Sequence, residues 1–338
     1  MANAPTSPSS NEPGSLDVLS DFISWCRQNP VPAFLFAAVV ATLGYFFFWL
    51  PLFNVNDSQT VAKWAWLAWN PEGNQEHSKL VPLIFLGLIY YHRQEIRNAV
   101  KQGSNKGIIF VVIGVLLYVL AVRCKQPRMA LTAVPFLLYG MTYYLWGTKV
   151  ARVVLFPCAF LIFMIPMGAV EQATNNLQFI VTGAVTAMSN LVGIKIQAVG
   201  TTMTAADGSF NFEIAEGCSG IRSITAMAML TAVYVHLTQD ALWKKIVIFV
   251  GSAVFAVIGN FGRIFTVILV ARFYDPKFAG GIYHDYSGFV FFPFALLAMV
   301  GFSKLVNLDF GEITDQAKRI ESDPDKKKKG GTPTTYDY

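Results

Sequence analysis

Long stretches without a charge dominate this chain. From Val31 onward, apolar runs of roughly 16 to 25 residues alternate with short charged clusters, close to the ~20 residues that a helix needs to cross a hydrocarbon core. In lipid the backbone must satisfy its own N–H and C=O groups, so such runs have to be helical. Composition agrees. Of 338 residues, 54% are hydrophobic and 14% charged, against about 25% charged in a typical soluble domain. The reading is an all-α polytopic membrane protein. Gly at 26 without a period and Cys at 4 exclude collagen-like and disulfide-framework classes. The net charge of +5 comes largely from Lys326 to Lys329, which points to a membrane face and not to nucleic acid.

Both ends are solvated by composition: residues 1–14 are rich in Ser, Pro and Asn, and residues 309–338 in Lys, Gly, Thr and Asp. The first is not a cleavable signal, because no basic flank leads into its apolar run. Between them, residues 15–308 read as one transmembrane domain. Eight spans are expected, near Val31–Phe53, Leu80–Tyr91, Gly107–Val122, Met129–Trp146, Val150–Gly168, Ser219–His236, Ile246–Val270 and Gly288–Val306. An even number leaves both termini on one side. The larger share of the 26 Lys and Arg falls on that side, which makes it cytoplasmic. Arg123, Lys125 and Arg128 run against this bias.

The outward connection from Glu171 to Gly217 is too long to be a plain loop. Leu177, Ile180, Val181, Ala184, Val185, Met188, Leu191 and Val192 recur at helical steps and predict an interfacial helix over 177–194. A ninth span is the alternative, and it would reverse the side of Cys218 and of the tail. Beyond it, Lys195–Ala206 and Ser209–Ala215 alternate around Asp207-Gly208, which predicts a small extracytoplasmic β-hairpin.

Cys26, Cys124 and Cys158 have no metal spacing and read as small apolar fillers. Cys218 stands apart in Glu216-Gly217-Cys218-Ser219-Gly220-Ile221-Arg222-Ser223 at a helix start, where backbone amides and Arg222 favour a thiolate. Asn260 and Arg263 interrupt an apolar span, and an ionisable group there faces a partner or a cavity. His284 precedes the last span in Tyr283-His284-Asp285-Tyr286-Ser287-Gly288. Cysteine, arginine and histidine are what a thiol nucleophile needs: the attacking sulfur, a cation for the oxyanion and a proton carrier. The tryptophans Trp64, Trp66 and Trp69 read as an interfacial belt. Glu171 and Glu216 read as solvated outward charges.

These motifs resemble those of the exosortases and archaeosortases, integral-membrane counterparts of the cell-wall sortases. The resemblance covers most of the chain: His77-Ser-Lys-Leu-Val-Pro82, Phe163-Met-Ile-Pro-Met167, Glu216 to Ser223, Asn260-Phe-Gly-Arg-Ile264, and His284 with Gly288. It implies a catalytic set of Cys218, Arg263 and His284, with Arg222, Asn260 and His77 as secondary candidates and no metal or cofactor. It assigns the cysteine as acyl-thioester nucleophile, the arginine as proton donor and the histidine position as transition-state stabiliser. A guanidinium, with a pKa above about 12, hardly yields its proton, so Arg263 suits oxyanion binding better and His284 suits acid–base work.

The implied partners are the bilayer and exported membrane-anchored proteins that carry a C-terminal sorting signal: a Pro-Glu-Pro type motif, a transmembrane helix and a basic tail. An acceptor amine or water then resolves the thioester. The implied location is a bacterial or archaeal plasma membrane, with the site on the extracytoplasmic face. Rival readings are a membrane acyltransferase or serine protease using Ser219, and a transporter. A transporter would place its charges at mid-membrane within internal repeats.

Overall fold

The computed structural model describes residues 23–24, 26–55, 57–70, 75–99, 101–166, 168–213 and 221–308. Both expected tails, 1–14 and 309–338, lie outside them, as does the Glu216–Gly220 part of the cysteine motif. The chain divides into two compact units, residues 1–168 and 169–338. It is mostly helical, and among the described residues three helices are long and apolar enough to cross a membrane: Pro127–Met164, Leu242–Phe273 and Pro276–Val306. Shorter apolar helices cover Ala33–Trp49 and Gly107–Arg123. The helical segments fall where the expected spans do, but several are shorter than a full crossing.

In the first unit, helix α1 (Pro30–Gly44) starts with proline in its first turn, where the missing N–H costs nothing. It widens into a π turn at Tyr45–Trp49 and stops at Leu50, which is extended because Pro51 follows. A hairpin that the sequence patterning did not announce follows, β1 (Phe53–Val55) with β2 (Asp57–Gln59). Helix α2 (Val61–Ala68) is capped by Thr60, whose side chain accepts from Lys63 N. After α3 (Val81–Tyr91) and α4 (Arg93–Asn98), helix α5 (Gly107–Arg123) packs along α6 (Pro127–Phe160).

Helix α6 is two helical segments that meet at Gly147, between the expected spans Met129–Trp146 and Val150–Gly168. Gly147 breaks it with φ +80°, and a Cβ at that position would collide with the Gln102 carbonyl, so only glycine fits. Its end is set by Pro166: a 3-10 turn at Leu161–Met164 gives way to an extended Ile165, which leaves the last carbonyls without helical donors. Trp69 Nε1 donates to Met164 O at 2.8 Å and Ser78 Oγ to Phe163 O at 3.0 Å. The fifth expected span therefore ends earlier than Gly168.

In the second unit, α7 (Gly168–Leu191) starts well before the helix expected over 177–194. Only part of the expected apolar face is buried, at Val181 and Val185. Ile180 and Leu191 are 66% and 82% exposed, whereas Gln178, Thr182 and Ser189 are buried beside Val181 and Val185. Polar groups inward and hydrocarbon outward is the arrangement that a lipid surrounding favours. The expected hairpin is a three-stranded antiparallel meander of β3 (Ile196–Val199), β4 (Thr202–Ala205) and β5 (Asn211–Glu213). Its Asp207-Gly208 turn is present as read, and an additional turn at Gly200-Thr201 folds the first arm on itself. Asn190 clamps β3 at Ile196 through both side-chain amide groups, at 2.9 and 3.2 Å.

The inner face of the sheet, Ile196, Met203, Ala205 and Phe210, packs on Ile264, Val267 and Ile268 of α9 (Leu242–Phe273). Helix α8 (Ile221–Thr238), α9 and α10 (His284–Val306) pack through Met227, Ala256 and Ala295, and again through Val235, Ile248 and Met299. Gly259 lets α9 approach α10 closely, since a Cβ there would lie 2.9 Å from that of Ala295.

Candidate active site

Helices α8, α9 and α10 enclose a narrow cleft lined by Ser223, Asn260, Arg263, Gly288, Phe291 and Phe292, among others. Three separate sequence motifs supply four of these residues. Ser223 closes the Glu216–Ser223 motif in the first turn of α8. Asn260 and Arg263, one helical turn apart, present the same face of α9. Gly288 belongs to the motif that carries His284. The cleft lies entirely within the second unit.

Arg263 is anchored along one edge. Its Nε donates to Ser287 Oγ at 3.1 Å and its Nη2 to the His284 carbonyl at 3.0 Å. Ser287 is buried and donates in turn to the same His284 carbonyl at 2.9 Å. A guanidinium has five N–H donors, and among the described residues these are the only two hydrogen bonds that Arg263 makes. Nη1 has no described partner, and no described carboxylate pairs with this cation. The ring of His284 is 31% exposed, with Nδ1 at 3.2 Å from Asp285 Oδ1.

Of the expected catalytic set, Arg263 and His284 meet, through the His284 backbone. Cys218 lies outside the described residues, as does the rival Ser219. Among the secondary candidates, Asn260 is buried on the cleft wall. Arg222 is half-buried in the first turn of α8, with Nε enclosed. His77 is in the first unit, beside the Ser78–Phe163 hydrogen bond, so the two weaker motifs, His77–Pro82 and Phe163–Met167, meet each other there. Trp69 belongs to the same junction, which gives it a structural bond beyond a belt position. The filler reading of the cysteines holds for Cys158, which is buried with Val150 and Val154, and fails for exposed Cys124 at the end of α5.

Sequence reasoning missed Ser287. Its signal is the three-residue step from His284, which puts its hydroxyl within reach of that carbonyl once both begin a helix. It also missed the tie between the sheet and α9. Asp207 Oδ2 accepts from Arg272 Nη1 at 2.7 Å, while Oδ1 accepts from Ser209 N and Oγ at 3.0 and 2.6 Å. The Ser209 bonds first, and Arg272 after them, hold the Asp207 carboxyl below its ordinary range.

Residues 66–301, more than half of the chain, match the family described as transmembrane exosortase (Exosortase_EpsH). Comparison with curated proteins and with solved structures returns no match. The fold defines a helical membrane protein with an arginine-lined cleft. The chain belongs to the transmembrane exosortase family.

Proposed function

We propose that this protein is a membrane-embedded cysteine peptidase or transpeptidase that processes C-terminal sorting signals through an acyl-thioester on Cys218. Family membership supports sorting-signal processing. The observation that carries the catalytic assignment is the cleft itself, where residues from the cysteine motif, the Asn-x-x-Arg motif and the histidine motif line one space.

In this reading the Cys218 thiolate attacks the scissile carbonyl carbon, and the resulting oxyanion is met by Arg263, whose anchored edge leaves Nη1 to donate. Asp285 accepts from Nδ1–H of His284, which makes Nε2 the basic nitrogen that takes the Cys218 thiol proton as the thiolate forms. His284 gives its proton to the departing amine as the C–N bond breaks, leaving the mature domain on sulfur as a thioester. Water or an acceptor amine then attacks, His284 takes the proton back, and the C–S bond breaks. The two halves share one set of groups.

The substrate in this reading is an exported, membrane-anchored protein ending in a Pro-Glu-Pro type motif, an apolar helix and a basic tail. Both termini of the enzyme are cytoplasmic and the cleft opens on the extracytoplasmic face. Confinement of enzyme and anchor to one bilayer aligns the scissile bond with the site before reaction. Co-expression with a reporter that ends in such a signal tests this. Cys218→Ala should abolish processing and Ser219→Ala should retain it; the reverse pattern moves the nucleophile to serine.

A further inference from the structure

The first unit contains a second, much larger cavity, about 540 Å³, between α1 with its π turn, α5 and α6. Its walls are Val39, Leu43, Phe47, Val115, Val119 and similar side chains. The hydroxyls it contains are already bonded to backbone carbonyls: Thr42 Oγ1 donates to Ala38 O in its own helix at 2.8 Å, and Tyr118 OH on α5 donates across to Phe46 O at 2.9 Å. Such walls offer a peptide or sugar nothing to bond, and only hydrocarbon gains from entering. The exception is Arg123, at the end of α5, which lines the cavity and is exposed.

Arg123 opens the connection Arg123-Cys124-Lys125-Gln126-Pro127-Arg128, whose three cations are all exposed and make no ion pair among the described residues. The sequence holds no Asp or Glu between Glu95 and Glu171 to neutralise them. These are the cations that oppose the charge bias of the other connections, and the proposed catalysis leaves them without a role.

We propose that this cavity binds one acyl chain of an anionic phospholipid, with the phosphate headgroup held by Arg123 and its neighbours Lys125 and Arg128. Size favours a chain. At roughly 30 Å³ for each methylene-sized group, the space takes on the order of 15 to 20 of them, whereas a helix about 10 Å across and ~30 Å long needs several times that volume. Charge selects the headgroup: a phosphodiester complements the cations at the mouth, and a guanidinium pairs with phosphate through two parallel bonds.

The test is native mass spectrometry of the full chain released from bilayers of equal phosphatidylglycerol and phosphatidylcholine. The wild type should retain phosphatidylglycerol preferentially. Arg123→Gln should lower that preference about fivefold, the factor that one cation contributes at an anionic membrane surface, and Arg123→Lys should restore most of it. Val119→Trp, which fills the cavity from a half-exposed position, should remove the retained lipid of both kinds while leaving the thermal transition in place. Equal retention of the two lipids by the wild type, or an unchanged ratio in Arg123→Gln together with undiminished lipid in Val119→Trp, would overturn the proposal.

Discussion

Arg263 and Ser287 are joined by a 3.1 Å hydrogen bond from Nε to a buried hydroxyl that is itself fixed on the His284 carbonyl. The arrangement ties the direction of the guanidinium to the start of α10, so a small side chain sets the aim of a large one. Removing that hydroxyl should leave Arg263 charged but less well aimed. Because a hydrogen bond to a charged group is worth about 1.5 to 3 kcal/mol, Ser287→Ala should reduce kcat by roughly 10- to 100-fold with little change in KM. Ser287→Thr, which keeps the hydroxyl, should retain most of the activity.

Arg263→Lys should be nearly as damaging as Arg263→Gln. Lysine keeps the charge but lacks the planar fork that reaches Ser287, the His284 carbonyl and an oxyanion together. Losses of about 100- to 1000-fold are usual when an oxyanion donor is removed. Processing rates of a membrane-anchored reporter distinguish the cases, and normal turnover by the lysine variant contradicts the role given to the fork.

The positions of helices, the Asp-Gly turn and the motif residues are legible in the sequence because each is a local signal: an apolar run, a φ-positive turn residue, a charge inside a span. Burial on α7 is not. Ile180, Met188 and Leu191 look like a core stripe by spacing, yet in lipid the same spacing also suits an outward face, and Thr182 and Ser189 are buried instead. The Gly200-Thr201 turn was hidden because Lys195–Ala206 alternates smoothly through it. Ser287 and the Asp207–Arg272 contact depend on groups that meet only after α9 packs against α10 and the sheet, and no periodicity within one segment encodes that.

Asp207 gives the sheet a dependence on acid. Its contacts with Ser209 and Arg272 lower its pKa in the folded state, so the unfolded carboxyl binds a proton more readily. Its stabilisation is therefore fully present above the unfolded value of about 3.9 and is lost as pH falls through the lower folded value. Hydrogen exchange at the Ser209 amide should be insensitive to pH in its protection near neutrality and lose protection only in that acid window. Asp207→Asn should weaken protection already at pH 7, and raised salt should reproduce part of the loss by screening Arg272.

Gly147→Ala should destabilise the first unit. A residue with a Cβ held at φ +80°, ψ −170° costs on the order of 1 to 3 kcal/mol by itself, and here the added carbon also meets the Gln102 carbonyl. Thermal unfolding in detergent should show a lower transition for this variant. Gly183→Ala provides the control, because nothing lies within 4 Å of a Cβ at that site.

The most direct measurement is mass-spectrometric capture of the covalent intermediate during processing of a sorting-signal reporter. The expected result is a hydroxylamine-sensitive thioester linking the reporter's mature domain to Cys218, absent in Cys218→Ala and scarce in Arg263→Gln. An adduct on Ser219, or undiminished processing by Cys218→Ala, would contradict the thiol mechanism and with it the catalytic reading of the cleft.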